Sequence, residues 1–216
     1  MFEGYSPETV DFLWGIRMNN NRDWFLAHKK EYDTYLYQPT KALGQALATP
    51  FLDMPGNLVK VSRIYRDARL HHPLPYKESL WICVRQDVPW WGENPCLYFE
   101  ICPEGISYGF CLWQPRPATM EAFRKEISTH SQAFLKLIRD TEKATGIPVT
   151  ANLYARPKPS ADPKLEPYFA WKNQIACVRT EEFSPEVFGP DLLTRVEKLF
   201  ADLTPLYTFF NKFKAQ

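Results

Sequence analysis

The chain has no glycine-rich phosphate loop. Neither GxGxxG nor GxxxxGK[ST] occurs, and only nine glycines are spread over 216 residues. Nucleotide binding through such a loop is therefore unsupported. GxSxG and HExxH are missing too, which removes two familiar hydrolase signatures. The five cysteines (Cys83, Cys96, Cys102, Cys111 and Cys177) contain no CxxC, and no close Cys or His pairs offer zinc spacing. Their odd number and apolar neighbours point to free, buried thiols in a reducing compartment. A charge excess is lacking as well: 26 Lys and Arg stand against 25 Asp and Glu, a formal net charge of +1. Global attraction to nucleic acid or to an anionic membrane needs a marked basic excess. No apolar run approaches the roughly 18 residues of a spanning helix. The start, "MFEGYSPETVDF", lacks a basic segment followed by an apolar one. The expectation is a soluble, cytoplasmic protein with no membrane partner.

Apolar and aromatic side chains are plentiful. The chain is 45% hydrophobic and 15% aromatic, with seven Trp and fifteen Phe, enough for a full core in one large domain or two small ones. The first fifty residues have helical spacing. Ser6-Pro7 is an N-cap followed by proline at the first helical position, and Phe12, Leu13 and Ile16 supply the apolar face. "NNNRDWF" (19–25) breaks that helix and starts another through about Tyr37, and Pro39 marks a further start. The period then changes to two. "NLVKVSRIYR", "SLWICVRQ" and "CLYFEICPEGISYGFCLWQ" read as four strands, the last two turning near Pro103-Glu104-Gly105. Four strands without intervening helices predict an antiparallel meander. Helices are predicted again at 117–127 and 131–145. Two further strands, "VTANLYARPK" and "NQIACVRTEEF", flank the proline-rich "PKPSADPKLEP", and a C-terminal helix is interrupted by Pro205. No repeat or linker divides the chain. The prediction is one α+β domain over residues 1–216, a mainly antiparallel sheet of five to six strands packed with N-terminal, central and C-terminal helices.

The chemistry concentrates in "SRIYRDARLHHPLPYKESLW", residues 62–81. From Lys60 to Asp87 there are six Lys and Arg against three Asp and Glu. If Val59, Val61, Arg63 and Tyr65 share a strand face, Arg63 and Tyr65 point together, with Arg66, Asp67 and Arg69 at the strand's end. Arginine forks grip carboxylate or phosphate through paired hydrogen bonds, and Lys77 adds a mobile charge. Asp67 among arginines stays ionised, which suits it to orientation or proton acceptance. One reading is an anion-binding or catalytic pocket. The other is a loop pinned by its own ion pairs, with Tyr76 packed on the sheet.

Other motifs are weaker. His71-His72 are adjacent, so their side chains diverge in an extended chain and do not make a metal site. Asn21 caps a helix with Asp23 in its first turn, which leaves Asn19, Asn20 and Arg22 available to a ligand. Trp90-Trp91 stand in a loop where tryptophans stack bases or sugars or anchor a partner. "YARPKP" with Lys164, Tyr168, Trp171 and Lys172 makes a second basic, aromatic region.

Several words occur together in order: "MFEGYSPETVDFLWGIRMNNNRDWF", "RIYRDAR", "PYKESLW", "YFEICPEGISYGFCLWQP" with "RPATMEAFRKEI", and "YARPKP". In these the chain resembles the uncharacterised domain-of-unknown-function (DUF) 2461 family over almost its whole length. The resemblance implies one family domain and carries no activity with it. The family's patterned polar positions correspond to Asn20, Arg22, Arg63, Arg66, Asp67, Arg69, Tyr76 and Lys77. Leu70 and "HHPL" depart from the pattern, standing where many members have an aromatic residue and an Asp-Lys pair. The expectation drawn from the residues is a basic, aromatic-lined pocket for a phosphate- or carboxylate-bearing small molecule. Asn20, Arg22, Arg63, Arg66 and Arg69 are its ligand-binding groups, and Asp67, Tyr76 and Lys77 its candidate catalytic groups. If it is an enzyme, stabilising a developing negative charge is the mechanism these residues suit. No metal and no cofactor is implied. The alternative is a nucleic-acid or protein-binding module built on Trp90, Trp91, Trp171 and the basic loops, with near-neutral charge counting against nucleic acid.

Overall fold

The computed structural model describes residues 2–51, 56–67, 69 and 73–213. The N-terminal helices are α1 (Pro7–Met18), α2 (Arg22–Ala27), α3 (Lys29–Glu31) and α4 (Gln38–Ala48). Asn21 caps α2 as expected, its side chain accepting from Trp24 N at 2.9 Å. Pro39 opens no separate helix. The chain runs from α3 into α4 through a π-helical stretch, Tyr32–Tyr37. Pro39 has no N–H to offer the carbonyl four residues back, Tyr35, and that oxygen accepts the Thr9 hydroxyl of α1 at 2.6 Å.

Then come β1 (Asn57–Val61), β2 (Leu80–Gln86), β3 (Cys96–Cys102) and β4 (Gly105–Leu112), followed by α5 (Pro117–Thr129) and α6 (Ser131–Thr145). The remainder comprises β5 (Thr150–Leu153), α7 (Glu166–Phe169), β6 (Trp171–Glu181), α8 (Pro185–Phe188) and α9 (Asp191–Asn211). The strands form one antiparallel sheet of order β1-β2-β3-β4-β6-β5, so the meander is present and the fold is α+β. β1 stops five residues before its expected end, and beyond it the pairing continues through single bonds and an isolated bridge, Tyr65 to Tyr76. Glycine is required where β4 meets β6. Gly109 has φ +151°, and a Cβ there would lie 2.2 Å from the Cys177 carbonyl oxygen.

Pro205 does not interrupt α9, which runs through it. Ala201 and Pro205 lie on the exposed side, so the carbonyl that Pro205 leaves without a donor is not walled into the core. Leu203, Leu206, Tyr207 and Phe210 are buried on the other. Burial at about 1.5–3 kcal/mol per large side chain outweighs the roughly 3 kcal/mol an internal proline costs.

Contacts group the chain into two compact units. The first is Met1–Val84, Tyr98–Tyr108 and Thr180–Glu197. Its helical layer covers one sheet face: Gly44 of α4 sits against Val61 and Ile82, and Tyr5 stacks on Phe99 at 6.1 Å. The second is Arg85–Leu97, Gly109–Arg179 and Lys198–Gln216. Its core is aromatic, with Phe123 stacked on Trp171 and on Phe210. Arg124 is buried there without a carboxylate, spending its donors on the carbonyls of Met120, Phe169 and Trp171. All five cysteines are free, but only Cys83, Cys96 and Cys177 are fully buried.

Candidate functional site

The polar stretch lies in the first unit, and strand alternation divides it between two faces. Tyr76, Glu78, Leu80 and Ile82 turn toward the helices, while Lys77, Ser79 and Trp81 turn away.

The helix-side groups hold one another. Asn20 pairs with the Tyr76 backbone like an extra strand, donating to its carbonyl and accepting from its N–H, both at 3.0 Å. Arg66 Nε donates to the same carbonyl at 2.6 Å, and its other arm reaches Glu78 at 3.5 Å. Glu78 also accepts from Arg17 of α1 at 2.6 Å, and Arg17 pairs in turn with Glu104 in the β3–β4 turn. The Tyr76 ring is buried, stacked on Phe25 at 4.3 Å and 5.5 Å from Tyr65. Burial and the Tyr65 phenol push its pKa up, with the Arg22 charge opposing. The phenol is therefore a proton donor, not a base, at neutral pH. Asp67 receives Arg69 through its backbone N–H at 3.0 Å and through Nε at 2.9 Å. This carboxylate ties its own loop, and the Arg69 side chain stands exposed beside it.

The other face is different. Lys77 is anchored at both ends: its N–H donates to the Ile64 carbonyl and its Nζ to the Arg63 carbonyl, each at 2.7 Å. The ammonium lies 5.5 Å from the centre of the Trp81 ring. Burial lowers its pKa first, followed by the charges of Arg63, Arg66 and Lys60, while Glu100 opposes. Glu100 is engaged, accepting from the Ser79 hydroxyl at 2.6 Å. Lys60, Arg63 and Lys77 form no ion pair with a described residue. On this face Ser79, Trp81, Tyr98 and Glu100 are partly exposed, whereas Leu80, Ile82, Phe99 and Ile101 on the helix side are fully buried.

The expected set is thus partly dispersed. Arg63 lies with Lys77, whereas Tyr65 packs on Phe25 and Tyr76, so the two do not point together. Arg22 belongs to the Tyr76 side. Lys60, Ser79, Trp81 and Glu100 were not singled out by sequence reasoning, although period-two spacing from Lys77 marks Ser79 and Trp81 directly. Two cavities, of about 460 Å³ beside Glu3, Ser6 and Tyr35 and of about 410 Å³ beside His130, Phe134 and Phe209, lie elsewhere. Neither of these two cavities is lined by the cation cluster, whose described neighbours Ser79, Trp81, Tyr98 and Glu100 are partly exposed.

A family model described as conserved hypothetical protein (DUF2461) matches residues 8–209. The chain belongs to the DUF2461 family. No curated protein matches it. In this DUF2461 chain the family words 63–69 and 75–81 supply Arg66 and Tyr76 to the inward tie and Arg63 and Lys77 to the outward cations. His71 and His72 lie outside the described residues, as do Leu70 and the Trp91 side chain. Trp90 is 71% exposed, but Trp171 is 5% exposed and cannot serve as a surface platform. Among the described residues no helix is long and apolar enough to cross a membrane.

Proposed function

We propose that the chain binds a small phosphate- or carboxylate-bearing ligand on the open side of β1 and β2. Lys60, Arg63 and Lys77 grip the anion and Trp81 lies under its apolar part. One observation carries this reading: Lys77 Nζ is held by a backbone carbonyl, over an aromatic ring and among cations, with no carboxylate of the described residues paired to it. Like charges are gathered at a cost that a bound anion offsets. Arg66 contributes its field, since its donors serve Tyr76 and Glu78. The free thiols fit a reducing, cytoplasmic setting.

Calorimetric titration with pyrophosphate and with citrate tests the reading. Lys77→Met should weaken binding about tenfold or more, the loss of one charge-assisted contact, while Arg69→Ala leaves it unchanged. Equal isotherms for wild type and Lys77→Met would end the proposal.

A second reading rests on the second unit, where Trp90 and Trp113 are 71% and 50% exposed and Arg156, Lys164 and Lys172 are exposed as well. Such a surface suits a single-stranded nucleic acid or a protein partner. Oligonucleotide binding that falls steeply with salt supports it, and no binding at low salt refutes it.

A further inference from the structure

Lys77 differs from an ordinary surface lysine in how its tip is held. Its neighbour Tyr76 is fixed through the backbone by Asn20 and Arg66, and its own N–H is bound to Ile64. The stem therefore leaves a rigid point, and the Arg63 carbonyl at 2.7 Å fixes the far end. A carboxylate in that place would favour the ammonium form. A single carbonyl instead engages one N–H and leaves the lone pair of the neutral amine directed elsewhere. Trp81 walls one side at 5.5 Å, and the bond from Nζ to the Arg63 carbonyl is exposed, on a side chain that is itself partly buried.

We propose that Lys77 is a nucleophilic amine that condenses with the carbonyl group of an anionic aldehyde, the anion being placed by Lys60 and Arg63. The proposal rests on the anion-binding reading above and names its ligand class. The nitrogen lone pair forms the C–N bond as the carbonyl π pair moves onto oxygen, giving a carbinolamine after proton transfer. The two amine protons then leave with that oxygen as water, and the imine remains. No oxidant or reductant is needed. The lowered Lys77 pKa, caused by burial and then by the charges of Arg63, Arg66 and Lys60, enlarges the neutral fraction available for attack.

The probe is pyridoxal 5′-phosphate at less than one equivalent, followed by borohydride reduction and peptide mapping, with phosphate-free pyridoxal in parallel. The phosphate-bearing aldehyde should mark Lys77 about tenfold ahead of other lysines, as expected for one directing charge. Pyrophosphate should protect Lys77, Arg63→Gln should reduce the preference in a protein with unchanged circular dichroism, and pyridoxal should show a clearly smaller preference than the phosphate-bearing aldehyde. Labelling spread over surface lysines overturns the proposal, and if pyrophosphate still binds wild type but not Lys77→Met, the anion-binding reading survives it. Preferential labelling of Lys77 by both aldehydes without pyrophosphate protection overturns the anionic ligand instead.

Discussion

Asn20 tests whether the family's polar signature serves packing or ligand contact. Its amide makes two hydrogen bonds to the Tyr76 backbone, each 3.0 Å and partly buried. In Asn20→Ala both are lost, at about 1 kcal/mol net each. The Tyr76 carbonyl keeps Arg66 Nε at 2.6 Å, so only the N–H is orphaned, and leaving such a group partly buried adds about 1 kcal/mol. The sum is about 2–3 kcal/mol, or a fall in Tm of roughly 5–10 °C for a chain of this size. Asn20→Asp still accepts from Tyr76 N–H but sets a carboxylate against the Tyr76 carbonyl. Its cost should fall nearer 1–2 kcal/mol, with the Arg66 charge moderating the clash. Urea unfolding followed by circular dichroism measures both through the midpoint at constant slope. Pyrophosphate affinity of folded Asn20→Ala should stay within about threefold of wild type, because Asn20 bonds the backbone, not the open face. A cost below about 0.5 kcal/mol, the level of an ordinary surface change, would refute the clamp. A lost affinity in a fully folded Asn20→Ala would refute the separation of faces.

Thr9→Val removes the hydroxyl that serves Tyr35 and receives Ser6 N–H; denaturant unfolding should show a loss of about 2 kcal/mol. Arg124→Ala should cost about 3–4 kcal/mol by the same measurement, and Arg124→Lys should not rescue it, since one ammonium cannot span carbonyls that a planar fork reaches together. Arg17 holds Glu104 well below the usual carboxylate range, at about 2. A depressed folded-state pKa gives stability that is present above the unfolded value near 4.5 and lost as pH falls through about 2. Arg17→Gln should therefore flatten the stability profile in that window, by a small amount because Glu104 is largely exposed. Gly109→Ala should unfold at a distinctly lower temperature, as its Cβ meets the Cys177 carbonyl and its φ is unfavourable for alanine.

The fold was legible where local chemistry and tertiary packing agree. The Asn21 cap, the turn at Pro103-Glu104 and the four-strand meander rest on side-chain bonding and period-two burial that the final packing preserves. Prolines misled because their local penalty is set against contacts invisible in one dimension. Pro205 is carried by the buried residues on both sides of it, and Pro39 by a hydroxyl arriving from Thr9, thirty positions away. β1 ended early for a related reason. Beyond Val61 the pairing is carried by single bonds, such as Ser62 N to the Trp81 carbonyl and Trp81 N to the Ser62 hydroxyl, so the alternation that looked continuous is not a ladder.

The candidate site was legible in content but not in partition. Composition could show an excess of cations between Lys60 and Asp87, yet not which of them would be neutralised from afar. Glu78 is shared by Arg66 and by Arg17, and Arg17 lies sixty-one positions from Glu78, so no local count anticipates that pairing. Asp67 accepts from its near neighbour Arg69 through both the backbone N–H and Nε. Subtracting these ties leaves Lys60, Arg63, Lys77 and Arg85 as the cations of that span whose charge no described carboxylate pairs, and Arg85 is buried, giving a donor to the Gln86 carbonyl at 2.8 Å. The strand period does the sorting, because each step along 76–81 moves a side chain from the buried face to the open one. A chain that needed only a pinned loop could have placed a carboxylate against Lys77 Nζ. It presents a carbonyl there, with Trp81 beside it, and that arrangement is the ground on which the anion site is proposed.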